Sequence, residues 1–140
     1  MKKLTWWFRI VGVFYLLLTL LNLWALFFGG NQLFADTLRP PLNAEPLAVR
    51  SFMDAWMVFV FELGVLGAMA LVASRQPAQS RILAWTIIWA EVFRGILGDA
   101  VWIGLGYDAT SYAVFIVIHL AIIVTGMLFL RQSQAEVASL

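Results

Sequence analysis

Four apolar stretches, each long enough to cross a bilayer, constrain this chain more than anything else in it. They cover residues 6–28, 52–73, 82–105 and 112–130. A helix needs about 20 apolar residues to traverse the hydrocarbon core. Backbone groups in lipid must be bonded within their own segment, so each stretch is expected to be a helix and not a strand. Composition closes off a water-facing alternative: of 140 residues, 63% are hydrophobic and 12% charged, against about a quarter charged in a soluble domain. The expected fold is one all-α domain over residues 1–140, integral to the membrane.

The Lys2-Lys3 start followed by an apolar run has the outline of a secretory signal. That run is too long for a typical signal core, and no small-residue cleavage site precedes the loop, so a retained helix is expected. Basic residues set the orientation. With the N-terminus inside, Lys2, Lys3, Arg9, Arg75, Arg81 and Arg131 lie on the cytoplasmic side, and only Arg39 and Arg50 lie opposite. Both termini are therefore expected in the cytoplasm. The extracytoplasmic loop 29–51 carries Gly29-Gly30-Asn31 and Arg39-Pro40-Pro41-Leu42, which break helices; it serves as a cap over the bundle mouth or as a tether. The remaining connections are short, which favours antiparallel neighbours and an up-down four-helix transmembrane bundle.

A net charge of +1 lacks the concentrated basic surface that nucleic acid requires. The absence of cysteine excludes disulfides, thiolate metal ligands and cysteine nucleophiles.

Ionisable side chains at mid-membrane depth are the second constraint, because each costs about 2.5–3.5 kcal/mol on insertion scales. Glu62, Glu91, Arg94 and His119 all fall near the centres of their stretches, with Asp54, Asp99 and Asn22 nearer the external face. On the third helix Glu91, Arg94, Gly95, Gly98 and Trp102 make a helical stripe, with Asp99 on its flank. Glu91 and Arg94, three apart, can pair. With all groups ionised the acids outnumber Arg94, so an inward-facing cluster needs raised carboxyl pKa values, a bound cation or water. Such an arrangement is more typical of a site than of inert packing. Trp56, Trp89, Trp102, Tyr112 and Phe115 are expected as aromatic walls. The Glu-x-x-His spacing of di-iron bundles is missing, so neither a metal nor a cofactor is expected, and no residue is given a catalytic role. The glycines Gly64, Gly67, Gly95, Gly98 and Gly126 suit close helix packing.

The opening Trp6-Trp7-Phe8-Arg9-Ile10-Val11-Gly12-Val13-Phe14-Tyr15-Leu16-Leu17-Leu18, with Asn22 after it, resembles the start of the BphX-like family. So do the chain length, the four-stretch layout and the acidic third helix. The resemblance implies a small four-span protein of the bacterial inner membrane and supplies no reaction to carry over.

The expectation for function is a membrane pocket that binds a small lipophilic or aromatic ligand. Glu62, Glu91, Asp99 and His119 would orient its polar group, and proton transfer through a Glu and His119 would make it an enzyme. The alternatives are proton or cation translocation along Asp54, Asp99, Glu62 and Glu91 in a homo-oligomer, or a subunit of a larger membrane complex. The partners expected are membrane lipid, a small lipophilic ligand, and further copies of the chain or a larger membrane complex, with no nucleic acid.

Overall fold

The structure, a computed structural model, describes residues 2–138, with side chains to residue 135. Among these the chain is all-helical. Helix α1 spans Lys2–Phe28, α2 Asn31–Ala35 and α3 Pro46–Ala73, with one 3-10 turn at Leu42–Ala44 between α2 and α3. Helix α4 (Arg81–Ala90) passes without a break into a π-helical segment, Glu91–Leu97, and then into α5, Gly98–Gly104. Helix α6 runs from Ala109 to Ala138.

Three helices are long and apolar enough to cross a membrane: Lys2–Phe28, Pro46–Ala73 and Ala109–Ala135. Only 22% of the most apolar window of each is buried, so most of their hydrocarbon surface faces outward, as it does in a membrane protein. The stretch 82–105, expected as one α-helix, is instead the composite α4–π–α5. Helix α3 begins at Pro46 and not at 52. Proline is well placed in a first turn, where its missing N–H is not needed and its φ already suits the helix. The extra turn carries Val49, which with Met53 packs against Phe34, Ala35 and Leu38. The loop is thereby shortened and folded back on the bundle. From it Arg39 reaches the Leu105 carbonyl and lies 5.8 Å from the centre of the Tyr107 ring. Asp108 caps α6 by accepting the Thr110 and Ser111 N–H groups at 3.3 and 3.1 Å. The Ser111 hydroxyl, then these backbone donors, hold its carboxyl below the usual range.

The helices pack in readable registers. Between α1 and α3, Gly12 meets Gly67 and Leu71, Thr19 meets Gly64 and Val60, and Asn22 accepts the Trp56 indole N–H at 2.8 Å. Between α1 and α6, Trp7 donates to the Ile122 carbonyl at 3.2 Å and lies against Gly126. Between the composite helix and α6, Arg81 meets Ser133, Ile88 meets Gly126 and Gly95 meets His119. Between α1 and α3, and between the composite helix and α6, one number rises as the other falls, so both pairs are antiparallel. Glycine is what permits the closest approach. A Cβ on Gly67 would lie 3.0 Å from Tyr15 Cβ and 3.1 Å from the Gly12 carbonyl oxygen.

Gly67→Val is therefore expected to force α1 from α3 and to destabilise the fold by about 1–3 kcal/mol, the usual range for overpacking. Gly104→Val, where a Cβ meets nothing within 4 Å, should leave stability unchanged. Unfolding of the two variants in mixed micelles measures the difference.

Candidate functional site

Tyr15, at the midpoint of α1, carries a hydroxyl into the bundle interior and is almost fully buried. Its hydroxyl donates to Glu91 Oε1. Glu91, fully buried at the start of the π-helical segment, takes two further partners. Arg94 donates to the same oxygen at 3.2 Å, and His119 Nδ1 meets the other oxygen, Oε2. Three helical elements therefore converge on a single carboxylate. The guanidinium of Arg94 is itself held between rings, 4.9 Å from the centre of Phe59 and 5.7 Å from that of Tyr15, where a cation is attracted to the aromatic face.

The far edge of the His119 ring faces Asp99. Its Nε2 stands 3.5 Å from Asp99 Oδ2, within ion-pair range but outside good hydrogen-bond geometry. That oxygen is buried and has no hydrogen-bond donor among the described residues. Gly95 lets the imidazole sit this deep, since a Cβ there would fall 2.6 Å from ring atoms Cδ2 and Nδ1.

Backbone geometry aligns these residues. The buried positions across the π-helical segment are Glu91, Gly95 and Asp99, four residues apart each time. In a straight α-helix, two such steps carry a side chain about 80° around the axis. The wider i→i+5 turn absorbs that drift and keeps all three toward α6. Asp99, expected on the flank of the stripe, is therefore at its centre, whereas Gly98 and Trp102 are only half-buried. Single π turns inside α-helices recur at functional sites.

The remaining expected site residues are placed elsewhere. Glu62 points outward from α3, exposed and with no hydrogen-bond or ion-pair partner among the described residues. Asp54 pairs with Arg50 at 3.0 Å on an exposed surface. Both corrections have one cause: the packed stripe of α3 is Val49, Met53, Val60, Leu63, Gly67 and Ala70, and each acid sits beside it, not in it. Asn22 is spent on Trp56, away from Glu91.

Of the expected walls, Trp56 packs with Phe52 and Phe59, and Trp89 and Phe115 are exposed. Trp102 and Tyr112 do converge, each set edge-on to Tyr107 at 4.7 and 6.3 Å. Tyr15 and Phe59 were missed. Tyr15 stands in a long apolar run, but with Gly12 and Thr19 it forms a small, polar stripe at helical spacing, and that stripe was the available signal. Two grooves, of about 240 and 500 Å³, are lined by α1 with α3 and by α1 with α6, and neither touches Glu91. No group of three or more His, Asp or Glu side chains that could hold a metal ion is found among the described residues.

Removing the shared acceptor should be costly. Glu91→Ala leaves Arg94 and Tyr15 without their acceptor and is expected to destabilise by about 3–5 kcal/mol. Asp54→Ala, which breaks an exposed pair, should cost no more than about 1 kcal/mol. Equilibrium unfolding of both variants distinguishes a buried hub from a surface ion pair.

Comparison with known proteins places the chain. No curated protein and no solved structure matches it. A family model described as BphX-like matches residues 1–135. The chain belongs to the BphX-like family.

Proposed function

We propose that this protein crosses a bacterial inner membrane four times as an up-down bundle, with both termini cytoplasmic. We propose further that its polar interior binds a small lipophilic or aromatic ligand through one cationic or hydrogen-bond-donating group. The alternating helix directions support the first part, with α4–π–α5 as the remaining span, and the basic residues gathered at one end support the orientation.

The observation that carries the second part is Asp99 Oδ2, a buried carboxylate oxygen without a hydrogen-bond donor. Leaving such a group unmade costs about 1–3 kcal/mol, more when it is charged, and a ligand donor recovers that cost. The half-buried rings of Trp102, Tyr107 and Tyr112, on the same side of the chain, suit an apolar or cationic body. Arg39 already rests over Tyr107, so this face accepts a cation. In this reading Asp99 meets the ligand. Glu91, held by Tyr15 and Arg94, fixes the imidazole behind it and is a positioning residue.

A second reading is favoured by the succession Tyr15–Glu91–His119–Asp99, hydrogen-bonded as far as His119 and ending in the 3.5 Å ion-pair contact from His119 Nε2 to Asp99 Oδ2. One proton can reside on His119 Nε2 or on Asp99, which is what proton transfer to a ligand, or proton movement through the membrane, would use.

Protein in lipid nanodiscs is expected to bind 4-phenylbutylamine at least about tenfold more tightly than 4-phenylbutanol, the scale of a charged hydrogen bond. Asp99→Asn should erase that preference. Equal binding of the two compounds, or an unchanged preference in Asp99→Asn, overturns the ligand reading. For the proton reading, pH-driven flux into proteoliposomes should be lost in Glu91→Gln, and absence of flux in the unsubstituted protein contradicts it.

A further inference from the structure

Glu62 lies close to the middle of α3 (Pro46–Ala73), level with Thr19 of α1, which packs against Gly64 and Val60. It points away from the bundle and is exposed among apolar side chains. At about 1.5 Å per residue, neither end of α3 is within reach of its side chain. A lone carboxyl facing hydrocarbon at that depth is unfavourable even when protonated, since its hydroxyl and carbonyl find no partner.

The surroundings of Glu62 are patterned. Ala55, Val58, Glu62, Val65, Met69 and Val72 are all exposed, and they follow steps of three, four, three, four and three. That is the heptad seam of a parallel two-helix contact, in which one polar residue at a core position meets its own counterpart and fixes the register. The seam lies on the side of α3 opposite the packed stripe Val60, Leu63, Gly67 and Ala70, so the bundle leaves it uncovered.

We infer that this face is the interface of a homodimer, in which α3 packs against α3 of a second copy and the two Glu62 carboxyl groups hydrogen-bond to each other. Two copies inserted the same way present parallel α3 helices, and a two-fold axis along the membrane normal brings each residue to its own depth. Glu62 therefore meets a group that can be both donor and acceptor, one carboxyl giving its proton to the other. Arg94, the cation nearest mid-depth in this chain, is already engaged with Glu91, so a second copy offers no alternative counter-ion. The inference is independent of the ligand-binding reading.

The chain has no cysteine, so Gln79→Cys provides one site for fluorescent labelling. Energy transfer between labelled copies in liposomes, followed as lipid dilutes the protein, reads the dimer affinity. Glu62→Leu should weaken association by about fivefold or more, the scale of interhelical hydrogen bonds in bilayers, while Glu62→Gln, whose amide can pair with itself, retains it. Val65→Trp, in the seam, should also weaken it, and Val117→Trp, exposed on α6, should not. A monomeric unsubstituted protein at every dilution overturns the inference. So does Glu62→Leu associating as tightly as the unsubstituted chain, or a loss confined to Val117→Trp, which would place the contact on α6.

Discussion

A carboxylate held away from water in the middle of a helical bundle must find its hydrogen bonds inside the protein, and Glu91 finds them on separate helices. Tyr15 arrives from α1, His119 from α6 and Arg94 from the next turn of its own helix. Outside this node the packing is mostly apolar contact through small residues, with single hydrogen bonds between helix pairs such as Trp7 to Ile122 and Trp56 to Asn22. Apolar contact sets distance but leaves sliding and rotation weakly determined. Hydrocarbon gives no hydrophobic drive between helices, so directional polar contacts and close fit must specify the arrangement. Glu91 thus ties α1 and α6 to the composite helix at one depth. The elements far from it, such as the Trp7 bond to Ile122 and the Asn22 bond to Trp56, are consistent with that registration.

The π-helical turn and Gly95 are the means by which the node extends toward Asp99. Without the wider turn, Asp99 would rotate off the face that meets α6, and without Gly95 the imidazole would be pushed away from the helix that carries both acids. Backbone geometry and a missing side chain together place His119 between two carboxylates. One of them has its partners, and the other has a buried oxygen without a donor. That asymmetry separates a support from a contact surface, and it is the basis for giving Glu91 and Asp99 different roles.

Much of this was legible in the residues. The apolar stretches, the pairing of Glu91 with Arg94 at three-residue spacing, and the match in depth between Glu91 and His119 follow from length, charge and helical period. The assignment of Glu62 and Asp54 to the interior did not hold, for a physical reason. In a soluble helix the packed face is the more apolar one, whereas in these helices both faces are apolar, and a charge cannot be assigned inward by contrast. Gly67 and Gly12 were the better markers of the packed face, because only close approach requires them. The position of Asp99 depended on a change of helical pitch that no α-helical wheel contains, although the four-residue spacing of Glu91, Gly95 and Asp99 hints at it. Tyr15 was hidden in an apolar run because its ring is at home there and only its hydroxyl matters.

The chain has a single histidine, so one imidazole can be observed without assignment, and this gives the most direct test of the central claim. Solid-state NMR of protein in lipid, with labelled His and Glu, reports the protonation of His119 Nδ1 and its dipolar coupling to nearby carboxyl carbons. The account predicts a protonated Nδ1 strongly coupled to a Glu side-chain carboxyl carbon, with that coupling lost in Glu91→Gln and retained in Glu62→Gln. A His119 without carboxyl coupling, or one indifferent to Glu91→Gln, would contradict it.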